Sequence, residues 1–157
     1  KLVAVTDEQI NLVIPEQAPT GALEVRLING AGESAPMLVR LDRASPGLFA
    51  VLSQADQAIS SIAPGQPVSV VATGLGPASL AAARAVEPAP GVQIVLGGMR
   101  LRPTGIEPFA AVPGTWRVRF DVPAVALPDK LSLGLLVDGR TGNELTLSST
   151  ASAEPAF

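Results

Sequence analysis

Trp116–Ser149 reads WRVRFDVPAVALPDKLSLGLLVDGRTGNELTLSS, and its alternation decides the fold class. Trp116, Val118, Phe120 and Val122 fall on one side, and Arg117, Arg119 and Asp121 on the other. That period of two belongs to a strand with one face buried and one face in water. Leu131, Leu133, Leu135 and Val137 repeat the pattern, and Asp138-Gly139-Arg140-Thr141-Gly142 turns the chain into a further strand, Glu144–Ser148.

The stretch Gln9–Leu41, QINLVIPEQAPTGALEVRLINGAGESAPMLVRL, echoes this one without a gap at a distance of 108 positions. Pro15 falls on Pro123, Leu23 on Leu131, Val25 on Leu133 and Leu27 on Leu135. In both copies an alternating apolar strand closes on a proline, and a second strand runs into a Gly/Asn/Asp turn. A repeat defines the architecture before any residue is given a role. Counted back by the same offset, Lys1 corresponds to Phe109, so the first copy has no equivalent of Pro64–Pro108. Its apolar face (Ile10, Leu12, Ile14, Leu23, Val25, Leu27) and its backbone edge then need a cover. Three covers are open: the second module, an upstream segment of the same protein, or a strand from another copy of the chain. The last is β-augmentation. These six residues are the expected assembly interface.

The rest of the chain reads as short strands separated by Gly and Pro, of which there are 15 each. Asn29-Gly30-Ala31-Gly32 turns into Met37–Leu41, Ser45-Pro46-Gly47-Leu48-Phe49 reads as the junction between modules, and Ala63–Pro67 announces Val68–Thr73. Val92–Leu96 and Met99–Arg102 flank Gly97-Gly98, a hairpin signal. Ala78–Val86, rich in alanine, dissents as a short helix. Strands at this spacing indicate a sandwich of immunoglobulin type.

Composition excludes several function classes. With 47% hydrophobic and 16% charged residues and a mean hydropathy of +0.38, the chain is expected to fold. No apolar run approaches the roughly 20 residues that span a bilayer, so membrane insertion is not expected. A net charge of −3, a pI near 4.9 and five aromatic residues argue against nucleic acid as a partner. Cysteine and histidine are absent, which removes disulfides, thiolate or imidazole metal sites and any Ser-His-Asp arrangement. Lys1 opens in mid-strand, as expected of a mature or trimmed product.

The chemical constellations each have a plainer reading beside them. Gly74-Leu75-Gly76-Pro77-Ala78-Ser79 has the outline of a dinucleotide-binding turn, but Ser79 occupies the third glycine position and Pro77 stiffens it, so a structural loop is expected. Asp138, Asn143 and Glu144 offer oxygen ligands for calcium around a Gly-rich turn, but the spacing of a recognised loop is missing, so an ordinary hairpin is expected. Asp7, Glu8 and Asp121 are the nearest approach to paired carboxylates, and they read as solvated charge. Ser148 and Ser149 have no base. Arg100, Arg102, Arg117 and Arg119 are candidates for an anion-binding surface or, more simply, for solubilising strand positions. Trp116 is a carbohydrate platform or, by its alternation, part of the core.

Four strings in order, QINLVIP (Gln9–Pro15), SPGLFA (Ser45–Ala50), IAPGQPVSVVATGLGP (Ile62–Pro77) and VQIVLGG (Val92–Gly98), carry a family resemblance. Together they resemble the uncharacterised C-terminal domain of secreted acidobacterial proteins, over Leu2 to Ser149. The segment Ser53–Ser61 is shorter than usual there, and Trp116-Arg117-Val118 replaces a commoner Tyr-Gln-Val-type opening. The resemblance implies modules similar to the IPT/TIG immunoglobulin-like fold at the end of an exported or surface protein, and it implies no activity.

The expectation is an all-β chain of tandem immunoglobulin-like β-sandwich modules, the first incomplete: 1–52 a partial module, 53–149 a complete one, 150–157 a flexible tail. The expected role is non-enzymatic, an extracellular structural or assembly module, a filament subunit completed by strand exchange between copies. The alternative is an adhesion module that binds carbohydrate or protein within a larger secreted protein. Partners are another copy of the chain or the upstream part of the same protein; no catalytic residue, cofactor or metal is expected, and the location is secreted or at the bacterial cell surface.

Overall fold

Apolar alternation becomes strand pairing almost everywhere in the computed structural model, which describes residues 1–15, 17–76 and 91–150. Among the described residues there is no helix. The helix expected over Ala78–Val86, the end of the Gly74–Ser79 turn and the tail beyond Thr150 lie outside them. The chain divides into two compact units, Lys1–Arg43 and a second that begins at Ala44.

In the second unit β10 (Pro67–Thr73), PVSVVAT, is buried along nearly its whole length, as befits a strand covered on both sides. It lies between β7 (Gly47–Leu52) and β14 (Trp116–Asp121). With β8 (Ala58–Ile59) beyond β7 and β13 (Gly105–Pro108) beyond β14, these strands form a five-stranded antiparallel sheet in the order β13-β14-β10-β7-β8.

The facing sheet centres on β15 (Lys130–Val137), flanked by β11 (Val92–Leu96) and β17 (Leu145–Ser149). Its edges are β12 (Met99–Leu101) and β9 (Ser61–Ile62), the latter parallel to β17, and β16 (Arg140–Thr141) pairs with the end of β15. The β11–β12 hairpin closes on Gly97 and Gly98 at φ of 54° and 84°. Two successive positive φ values match the twist of the flanking strands and are open to glycine at no steric cost.

Both sheets turn their apolar positions into one core, the arrangement of a β-sandwich. Val70, Val118 and Phe120 come from the first sheet, and Ile94, Leu133, Leu135 and Val137 from the second. Trp116 is partly buried against this core. The division of the chain falls at Arg43/Ala44, earlier than the expected boundary after residue 52. The reason is β7: Leu48, Val51 and Leu52 are buried, and the strand pairs with β10. What reads as a junction at Ser45–Phe49 is the entry into a core strand.

The first unit is made of two-stranded ribbons. β1 (Leu2–Val5) pairs with β2 (Ile10–Leu12), β3 (Gly21–Val25) with β6 (Met37–Leu41), and β4 (Ile28–Asn29) with β5 (Gly32–Glu33), all antiparallel. Among its described residues none is buried.

Candidate assembly face

The 108-residue echo holds at the level of individual backbone partners. In the first unit Leu23 stands opposite Val39 and Val25 opposite Met37; in the second, Leu131 stands opposite Leu147 and Leu133 opposite Leu145. Each residue of the first set becomes its counterpart when 108 is added. The small hairpin obeys the same rule, since Ile28↔Glu33 and Asn29↔Gly32 become Leu136↔Thr141 and Val137↔Arg140. The strand β5–β6 region and the β16–β17 region are therefore the same piece of architecture built twice.

The first strand pair follows suit with one change. Val13 and Lys1 exchange backbone bonds of 2.8 Å, while in the second unit the Thr104 N–H donates to the Arg119 carbonyl at 2.8 Å. Val13 and Asn11, counterparts of Asp121 and Arg119, thus face β1 as the latter face β13, because alternate residues of a strand bond to opposite sides. So β1 occupies the place of β13, reached through a shorter loop. The expected gap, Pro64–Pro108, shifts accordingly: among the described residues the first unit has no equivalent of the set β7 to β12, residues 47–101.

Burial separates the two copies. Val118, Phe120, Val122, Leu131, Leu133 and Leu135 are all buried, none more than 5% exposed. Their counterparts are Ile10, Leu12, Ile14, Leu23, Val25 and Leu27, the six residues singled out in the sequence. Leu12, Ile14, Val25 and Leu27 are between 41% and 51% exposed, and Ile10 and Leu23 are half-buried. Ile10 and Leu12 lie on β2, Leu23 and Val25 on β3, and Leu27 just before β4. Ile28 and Leu38 are each 75% exposed, and Leu2, Val5 and Met37 are exposed as well. Unpaired edges accompany the apolar side chains. Among the described residues no strand takes the place of β10 beside β2, of β11 beside β3, or of β9 beside β6.

Met37 and Val39 belong to the same face and escape the list drawn from the sequence. Applying the 108-residue offset to Leu145 and Leu147, which alternate in β17, identifies both. Two departures from the repeat bear on this face and its clamp. Asn29 stands where Val137 is buried, and its Oδ1 accepts the Ala31 N–H at 2.9 Å, so it serves its turn. Ala35 stands where Asn143 pins the second unit: Asn143 accepts the Leu48 N–H at 2.8 Å and donates to the Leu48 carbonyl at 2.9 Å.

That clamp also accounts for Asn143 among the calcium candidates. Its amide is engaged with β7, and the described residues contain no group of three or more His, Cys, Asp or Glu placed to hold a metal ion. The four arginines are split. Arg100 is on the edge strand β12 and Arg102 just beyond it, whereas Arg117 and Arg119 are on β14 of the other sheet. Arg117 pairs with Asp56 at 2.8 Å and lies 5.1 Å from the Phe109 ring centroid, and Arg119 pairs with Glu107. Both cations are thereby matched by carboxylates. A cavity of about 350 Å³ lies beside them, lined by Ser53, Asp56, Thr104, Arg117 and Asp121 among others. Asp121 is exposed on β14, while Asp7 and Glu8 are exposed between β1 and β2 in the other unit. Ser148 is occupied by the strand edge, its N–H and Oγ both donating to the Ser60 carbonyl.

No protein-family model matches the chain, and no curated protein matches it.

Proposed function

We propose that the chain is a non-enzymatic, extracellular structural module built of tandem immunoglobulin-like sandwiches, and that its first unit works as an acceptor for added β-strands. One observation carries the reading. The same strand half, in the same register, has a closed core in the second unit and an open apolar face in the first. A ribbon of two strands is marginal in water, and a unit of this size seldom folds alone without a disulfide, a metal or a partner. Covering the face offers about 1.5–3 kcal/mol for each Leu, Ile or Val fully buried. Main-chain hydrogen bonds along the open edges add direction and register, as in strand addition generally.

Hydrogen exchange on native cell-surface material, compared with the purified chain in dilute solution, tests this. The N–H groups of Leu12, Arg26 and Ile28, which face the open edges, should be protected in the native material and exchange freely in the dilute chain. Protection in the dilute monomer, or exposure in both samples, would refute the acceptor role.

A further inference from the structure

The second unit shows what kind of polypeptide the first one takes up. It is assembled from two interleaved halves. The donor half, β7 to β12, contributes β10, β7 and β8 to one sheet and β11, β12 and β9 to the other. The acceptor half, β13 to β17, contributes the remaining strands. Three joins hold the halves together: β10 on β14, β11 on β15 and β9 on β17. The first unit is an acceptor half alone, with each of these joins open.

Counting halves decides the source. Among the described residues there are two acceptors and one donor, and that donor is already seated in the second unit. A second copy can place its β7–β12 segment on the first unit only by uncovering its own core, so exchange of that segment between copies leaves one acceptor per copy uncovered. We infer that the occupant of the first unit is a donor segment of the β7–β12 kind supplied from outside residues 1–157, not by exchange of residues 47–101 between copies. This deepens the acceptor reading of the previous section and rests on it.

The repeat register specifies the fit. One strand of the donor runs antiparallel along β2, with apolar residues opposite Ile10 and Leu12 where Val70 and Val68 stand opposite Val118 and Phe120. A second runs antiparallel along Val25–Asn29, with apolar residues opposite Leu27 and Val25 in the manner of Ile94 and Leu96. A third lies parallel beside Arg40 and Leu41, as Ser61 and Ile62 lie beside Ser148 and Ser149. The chemistry is that of alternating, largely β-branched strands, with a Gly-Gly hairpin after the strand that runs along Val25–Asn29, in a segment that contributes to both sheets.

The test compares the chain as it is with the same chain prolonged by a second copy of residues 44–102 ahead of Lys1. In the unprolonged chain the N–H groups of Leu12, Arg26 and Ile28 should exchange freely at every concentration, with the mass of one chain. In the prolonged chain their exchange should slow by on the order of a hundredfold or more, the mark of a segment that opens only by unfolding. The mass should stay that of one chain, with β14 and β15 as the folding reference in the same sample. Val70→Asp with Ile94→Asp in the added copy alone should abolish the gain and leave the reference strands protected. If protection and mass rise together when the unprolonged chain is concentrated, copies cover one another: the donor inference fails and the acceptor reading stands. If the prolonged chain leaves these groups unprotected while β14 and β15 remain protected, the donor inference fails too. Protection in the dilute, unprolonged monomer would overturn both.

Discussion

Phe120 and Leu12 occupy the same place in two copies of one strand arrangement, and one is sealed while the other is about half exposed. The β3–β6 ladder matches the β15–β17 ladder residue for residue, so the difference does not arise in the half itself. It arises in what lies across from it. Hairpin register follows from local turns and alternation, but a core needs a second layer. The comparison teaches that the shape of a half-sandwich and its stability are separate properties, the first local and the second borrowed.

The comparison breaks most sharply by truncating the paired positions. Phe120→Ala should destabilise the second unit by about 3–5 kcal/mol, the usual cost of emptying an aromatic site in a closed core. Leu12→Ala should change the denaturant midpoint of the dilute chain by no more than about 0.5 kcal/mol equivalent, since no core surrounds it. Urea titration followed by Trp116 fluorescence reads the second unit, and far-UV circular dichroism in the same titration reads both. Equal losses at the two positions would mean that Leu12 has a core after all.

Next in size is Gly142→Ala. A methyl group there would lie 1.7 Å from the Pro46 carbonyl oxygen, a backbone atom, so the loop must shift. We expect a loss of about 1–3 kcal/mol, the range for overpacking. Its counterpart Ser34 already carries a side chain, whose Oγ accepts the Leu27 N–H at 3.0 Å, and Ser34→Ala should be far milder.

Asn143→Ala removes both bonds to Leu48 and leaves a partly buried N–H and C=O of β7 without them. The expected loss is about 1–3 kcal/mol, read from the same titration and with faster exchange of the Leu48 amide. The smallest effect belongs to the Arg26–Glu33 pair, 2.8 Å apart with both side chains nearly half exposed. Arg26→Ala should alter stability by well under about 1 kcal/mol. A larger loss would show that this pair organises the first unit.

Much of the fold was legible because strand signals are local. Met37–Leu41 and Val92–Leu96 form over the residues their alternation indicates, and Gly97-Gly98 closes its hairpin. The 108-residue offset was legible as resemblance, and in the structure it holds for backbone partners too; applied to every apolar position it would have named Met37 and Val39. The strand β7 was missed because Pro46-Gly47 reads as a breaker and Leu48–Leu52 has no clean period of two. Its burial comes from pairing with β10, which no short window contains. The clamp made by Asn143 was not legible for a related reason: in sequence the residue belongs to an ordinary hairpin, and only the tertiary approach of the Leu48 backbone gives its amide a partner.

By itself, then, the sequence determined which residues alternate, where the chain turns and that one half-sandwich occurs twice, since these depend on neighbours a few positions apart. The tertiary structure alone decided that the later copy is closed and the earlier one open. Closure depends on β7, β10 and β11 reaching across tens of residues to β14 and β15, and a local pattern carries no record of whether such a partner arrives.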